Sequence, residues 1–338
     1  MTSLLITIPG FVACATLIVY SGAKLSKYSD IITSLTGVGK AWFGLIFMAT
    51  VTSLPELFTG VSSILIFNVP NIAIGDIMGS CAFNLLILAF LDYFVPNKPL
   101  SSMVTKNHVL AAFFSIFLMT NVIISIIFES YIPGPAGISG VSLFNLLVYF
   151  IAIRLIFKNE NRLKTTAVTE TIQSTPLKNS GMTLKQAIFR YLFFALLVIV
   201  GALLLPYFAS GLAGETGISK TFIGTLLVAA TTSLPELAVS IASVRMGSID
   251  TAMGNLLGSN IFNIVILSID DFLYTKGPLL SETSKEHALS GLVSLLMTSV
   301  IGISILYSAQ TKRFVLAIDA IILIALYTVL MIAIFRIS

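Results

Sequence analysis

The chain has 338 residues, of which 57% are hydrophobic and 10% charged, with a formal net charge of +4. Soluble domains carry about 25% charged residues, so a soluble enzyme or binding module is excluded and a polytopic membrane protein is indicated. The expected environment is the lipid bilayer; nucleic acid is not an expected partner, and a single chain is an expected working unit. The two cysteines, Cys14 and Cys81, both fall in apolar runs and give neither a disulfide framework nor metal-ligand spacing. With only His108 and His287, a histidine-built metal site is not expected.

In chain order, ten apolar runs reach the roughly 20 residues that a span requires. They cover 3–22, 41–67, 71–94, 107–128, 140–157, 188–212, 219–245, 249–274, 287–308 and 314–335. The first, MTSLLITIPGFVACATLIVY, lacks a basic leading region and a small-residue cleavage site, so it reads as a span and not a signal peptide. Between the fifth and sixth runs lies 158–187, rich in Thr, Ser and charge. It reads as a cytoplasmic linker between an N-terminal half, 1–157, and a C-terminal half, 188–338. It is shorter than a regulatory domain of about 50 residues or more. With this linker inside, 15 of the 19 Lys and Arg residues fall on the cytoplasmic side, as positive-inside orientation requires. Both termini are then expected outside the cytoplasm, in a cell membrane.

Five spans per half is an odd number, so the second half must enter the membrane in the opposite sense to the first. The halves are similar: 44–94 matches 224–274, pairing Gly44 with Gly224, Glu56 with Glu236, Gly79 with Gly258, Ser80 with Ser259 and Asn84 with Asn263. The expected fold is therefore an all-α integral membrane protein of ten transmembrane helices, arranged as two inverted five-helix repeats. Such repeats are typical of secondary transporters, whose sites lie at the repeat interface near the midplane.

The stretch TSLPEL occurs at 52–57 and again at 232–237. Pro55 and Pro235 remove a helical N–H and clash with the carbonyl four residues back, which should free the carbonyls of Val51 and Thr231. In a membrane such carbonyls must be paired or line a polar cavity. Glu56 and Glu236 stand beside the prolines, although an ionised side chain at the bilayer centre costs at least about 2.5–3.5 kcal/mol. Thr52 and Ser53, with Thr232 and Ser233, add hydroxyls one turn away on the same face. In the third run Asp76, Ser80 and Asn84 share a helix face; in the eighth, Asn255, Ser259 and Asn263 do so. Gly75, Gly79, Gly254 and Gly258 read as packing surfaces. Brought together across a pseudo-two-fold axis, these oxygens suit a hard cation such as calcium. No cysteine or histidine joins them, so zinc and copper are not favoured.

TSLPEL followed by GDIMGSCAFN, and TTSLPEL followed by GNLLGSNIFN, resemble the two alpha repeats of the sodium/calcium exchanger family, within the cation/calcium exchanger superfamily, in its prokaryotic form. The resemblance covers most of the chain. It implies antiport by alternating access, with Na+ entering in exchange for Ca2+ and no resident cofactor. It implies ligands at Thr52, Ser53, Glu56, Ser80 and Asn84, and at Thr232, Ser233, Glu236, Ser259 and Asn263. The backbone carbonyls of Ala49 and Ala229 are implied more weakly. The chain departs from the family pattern in Asn263 where Asp is frequent, in Val51 and Thr231 where Gly is usual, in Asp76 where Asn is common, and in Cys81–Ala82 for the usual Asn–Ile. Asp76 is expected near the edge of the site.

Shared oxygens make the two loads compete, which couples their fluxes, and protons competing for the same carboxylates should weaken transport in acid. The first and sixth spans, poor in polar residues, are expected to slide against the rest. A proton-coupled calcium antiporter and a monovalent Na+ or Li+/H+ exchanger remain alternatives, as does a cation channel from another class. An enzyme is not expected: no HExxH or GxSxG signature is present. Asp92, Asp270 and Asp271 read as solvated helix ends, with attraction of cations toward an entrance as the alternative.

Overall fold

The structure is a computed structural model that describes residues 4–36, 49–128, 139–166, 182–280 and 283–337. Among the described residues it contains helices and no strand, because a bilayer leaves backbone polar groups few partners but one another. The helices are α1 (Leu4–Thr36), α2 (Ala49–Thr52), α3 (Leu54–Leu65), α4 (Pro70–Asp92), α5 (His108–Phe128), α6 (Gly140–Thr166), α7 (Leu184–Thr216), α8 (Lys220–Ile223), α9 (Ala229–Thr232), α10 (Leu234–Arg245), α11 (Ile249–Leu273), α12 (Glu286–Tyr307) and α13 (Ile318–Ile337). A π-helical turn, Gly224–Val228, joins α8 to α9.

Among the described residues seven helices are long and apolar enough to cross a membrane, and the bent series α8 to α10 makes an eighth if it is one span. Two expected spans fall outside that set. The run 41–67 lies partly in 37–48, outside the described residues, and its described part is α2 with the 12-residue α3. The apolar part of α6, Gly140–Ile156, is a shorter helix. Half of the linker expected at 158–187, residues 167–181, also lies outside the described residues; of the rest, α6 continues to Thr166 and α7 begins at Leu184.

Both TSLPEL motifs break their helix at the serine before the proline. Ser53 has φ −88° and ψ 12°, and Ser233 has φ −85° and ψ 5°. Each proline then sits in the first turn of the next helix, where its missing N–H would have had no partner anyway. In the second half the chain bends by 43° at this break. Glu56 and Glu236 fall in the first turns of α3 and α10, at the helix end whose backbone dipoles favour negative charge.

The centre is α4 crossing α11. Of their membrane-length windows 89% is buried, against 28% for α1 and α13. Helices α5, α6, α12 and α13 pack around this pair. Helices α1 and α7 lie along each other and across α10 and α3. Their contact is a separate apolar cluster that includes Cys14, Ile18, Ala202, Leu205 and Ala209. A Cβ on Gly201 would meet Ile18 Cγ1 at 2.9 Å and the Cys14 carbonyl oxygen at 3.3 Å, so α7 packs closely on α1 there.

Asp92, Asp270 and Asp271 are not solvated, as their places near helix ends suggested: their exposures are 2%, 0% and 0%. The chain leaving each helix folds back over its end. Asp92 accepts backbone N–H groups from Leu100 and Ala317, both at 2.8 Å, and pairs with Lys312 at 2.9 Å. Asp271 accepts from Leu279 at 2.6 Å and Ser139 at 2.9 Å.

Candidate functional site

The two helix breaks meet at the centre, and their hydrogen bonds cross. The Ser53 hydroxyl donates to Glu236 Oε1 at 3.0 Å, and the Ser233 hydroxyl donates to Glu56 Oε1 at 3.2 Å. Each serine thus holds the glutamate of the other half. Ser259 adds a donation to Glu236 Oε1 at 3.3 Å. Thr52 turns toward the Ala49 carbonyl and toward Asn255 Oδ1, at 3.3 and 3.5 Å. Asn255 donates in turn to Ser240 and to the Glu236 carbonyl.

Asp76 is not at the edge. Its Oδ1 accepts from Thr232 at 2.7 Å and from Ser80 at 3.4 Å. The expectation of an edge position came from measuring Asp76 along its own helix. Packing of α9 against α4 supplies Thr232 from the other half, and that contact draws Asp76 into the cluster. The Ala229 carbonyl accepts from both Thr232 and Ser80, at 3.2 and 3.5 Å. The close approach depends on glycine: a Cβ on Gly79 would meet the Thr225 carbonyl oxygen at 2.3 Å, and one on Gly75 would meet the Gly224 Cα at 3.1 Å.

On the other side, Asn84 donates to Asn260 Oδ1 at 3.0 Å, and Asn260 donates to the Cys81 carbonyl at 3.0 Å. Asn263 faces the Cys81 sulfur at 3.9 Å. Asn260 has no place in the sequence reading. The available signal was its position beside Ser259 in GSN, opposite Cys81 in the first repeat. The π-helical turn had no signal, because its counterpart, 44–48, carries a similar sequence that gives no hint of an extra residue per turn.

Among the described residues, Glu56 Oε2, Glu236 Oε2, Asp76 Oδ2, Asn84 Oδ1 and Asn263 Oδ1 are buried without a hydrogen-bond partner. Buried polar atoms are seldom left so, and several acceptors without donors in one hydrogen-bonded neighbourhood form a set suited to a cation. No three His, Cys, Asp or Glu side chains among the described residues are placed to hold a metal by themselves. A cation here must draw on amide, hydroxyl and backbone oxygens as well as carboxylates, the chemistry of a hard ion.

Two facing helix breaks with paired glutamates and a lining rich in acceptor oxygens define the class of a cation-handling membrane protein. The chain belongs to the sodium/calcium exchanger protein family, whose model matches residues 6–156 and 187–336. It is 30% identical over 285 residues to the inner membrane protein YrbG of Escherichia coli, covering 83% of this chain and 84% of that one. Two solved structures share the fold. One is the sodium-calcium exchanger NCX_Mj soaked with Na+ and Sr2+, at 24% identity and a TM-score of 0.62, covering 96% of this chain and 97% of that one. The other is the H+/Ca2+ exchanger CAX, at 15% identity and a TM-score of 0.72, covering 98% and 85%.

Proposed function

We propose that the chain is a secondary-active cation antiporter that exchanges Ca2+ for Na+ at the central oxygen site. The observation that carries this reading is the crossed Ser53–Glu236 and Ser233–Glu56 pair surrounded by acceptor oxygens without donors. Glu56 and Glu236 supply the charge that a divalent ion needs. Thr52, Ser53, Ser80, Asn84, Thr232, Ser233, Ser259 and Asn263 supply neutral oxygens, with the Ala49 and Ala229 carbonyls beside them. Asp76, bonded to Thr232, is a further carboxylate of the site. Ca2+ takes about six to eight such oxygens. Sodium ions bound at the same oxygens exclude it, so one load leaves before the other binds.

All of these side chains have 0–2% exposure. The arrangement is closed to both sides, a state through which an alternating-access carrier must pass. Helices α1 and α7 are the moving part of this reading. Their contacts with the rest are largely alkyl and small side chains, with weak polar contacts such as Ser62 and Thr59 to the Ala202 carbonyl at 3.4 and 3.5 Å. A greasy contact can shift without stranding hydrogen bonds. We read the membrane arrangement as ten spans in two inverted halves, with both termini outside and the linker in the cytoplasm.

Proton coupling is the second reading, favoured by the altered placement of acids at the centre: Asn263 stands where the family frequently has Asp, and Asp76 stands where Asn is common. Calcium uptake into sodium-loaded proteoliposomes, compared with vesicles that hold only a pH gradient, tests both. Sodium-driven uptake supports the first reading, and uptake driven by the pH gradient alone supports the second. No calcium flux under either gradient refutes both. Under either coupling, uptake should fall as the medium is acidified, because protons compete for the carboxylates; a flat response from alkaline to acid would refute shared-site competition.

A further inference from the structure

Asp270 has no part in the central site, yet it is fully buried and neither carboxylate oxygen has a hydrogen-bond partner among the described residues. Its neighbour Asp271 shows what a structural carboxylate looks like in this fold, with each oxygen held by a loop N–H. Asp92 is satisfied in the same way. The residue at the matching place in the first half, 179 positions earlier, is the buried Leu91. The fold therefore accepts an apolar side chain at this position and does not require an acid.

Helix α3 approaches this carboxylate closely. A Cβ on Gly60 would meet Asp270 Oδ2 at 2.2 Å and Oδ1 at 2.7 Å. Ser63, three residues on and adjacent to Gly60 on the helix surface, has a buried hydroxyl that also lacks a partner. The same two helices build the central site. Along α3 the order is Glu56, Gly60, Ser63; along α11 it is Ser259, Asn263, Asp270. Asp270 and Ser63 thus lie past the central site in one direction. The charge pattern assigns that direction to the outside.

We propose that Asp270 and Ser63 form a second cation site, between the central oxygens and the outer face, that takes a sodium ion. An ionised carboxylate buried without a partner is strongly unfavourable, so Asp270 must share its place with a cation or a proton. The charges of Asp76 and Asp271 reach it and add to the negative field. Asp271 is already held by two N–H groups and Asp76 by Thr232, so Asp270 is the carboxylate left to hold an ion here, and one monovalent ion neutralises it. The site lies two turns further along α11 than Asn263. The role of this ion in exchange rests on the antiporter reading; its binding does not.

The test is equilibrium binding of radioactive sodium to the purified full chain, as wild type and as Asp270→Asn, Ser63→Ala and Glu56→Gln. Asp270→Asn should bind a single sodium ion fewer per chain. Ser63→Ala should weaken one sodium site by about tenfold, as loss of a ligand to a charged group does. Glu56→Gln should lose central binding and keep the Asp270 ion. Unchanged sodium stoichiometry and affinity in Asp270→Asn and Ser63→Ala would overturn the proposal. So would normal sodium binding by Asp270→Asn with one titratable proton lost, since the occupant would then be a proton. If Asp270→Asn fails to fold, the sodium affinity of Ser63→Ala decides the matter. Should the antiporter reading be wrong, gradient-driven calcium flux would be absent while the sodium ion at Asp270 was still measured.

Discussion

At the helix breaks the two halves are interchangeable: Ser53 holds Glu236, and Ser233 holds Glu56. They are equally alike at the ends of α4 and α11, where Asp92 and Asp271 each accept two loop N–H groups. Between these places they diverge. Asp76 corresponds to Asn255, Leu91 to Asp270, Cys81 to Asn260 and Asn71 to Asp250. Asp76, bonded to Thr232, and Asp270, opposite Gly60, are each a buried carboxylate without an acidic counterpart in the opposite half. A strictly two-fold site would present the same field to both faces of the membrane. Here Asp76 and Asp270 are buried carboxylates where the matching positions, Asn255 and Leu91, carry none.

Substitutions that make the halves more alike, or less, measure what each difference contributes. The largest effect is expected at the end of α4. Lys312→Met removes the cation from a buried pair with Asp92 (5% and 3% exposed side chains) and should destabilise the protein by about 3–5 kcal/mol, read from unfolding in detergent. Asp271 has no such cation among the described residues, so the loss belongs to the first half alone; unchanged stability would show that the two N–H donors suffice there too. Next, Glu56→Gln and Glu236→Gln should each lower calcium affinity by about a hundredfold, roughly 3 kcal/mol for a lost charged ligand. Unequal losses would show that the crossed pair is not symmetric in use.

Asp76→Asn copies Asn255 into the first half. Calcium binding should weaken by about tenfold, because Thr232 keeps an acceptor while the charge is gone. An unchanged affinity would return Asp76 to a structural role. The smallest effect is expected at the other face. His108 contacts Asp250 at 3.0 Å, and its counterpart His287 contacts Asn71 at 3.3 Å. Asp250 is half exposed, so Asp250→Asn should cost no more than about 1 kcal/mol in stability. A larger loss would mark this contact as a strut between α5 and α11.

The proline breaks and the glutamates were legible in the sequence because each costs energy that only a specific environment returns. The apolar runs were legible for the same reason, through what a bilayer permits. Asp76 and Asp270 were misread because spacing along one helix reports its face, not the partner that packs on that face. Asp76 gains its partner from α9, which precedes Pro235 in the other half. Asp270 looked like a helix end beside Asp271, and only the fold-back of the following chain, with Gly60 opposite, buries it. Asn260 acts through Asn84 and the Cys81 carbonyl, a contact made by helices 176 and 179 positions apart.

The π-helical turn at Gly224–Val228 has one further consequence. It sits directly below α9, and a π turn holds one residue more than an α turn. Its surplus residue acts as a phase setting for everything above it. Conversion of that turn to ordinary α-helix would rotate Ala229 and Thr232 by about 100° about the helix axis, the angle of one residue. The Thr232 hydroxyl would leave Asp76, and the Ala229 carbonyl would leave Ser80. A single added hydrogen-bond register in the backbone thus decides whether the second half's oxygens face the centre at all.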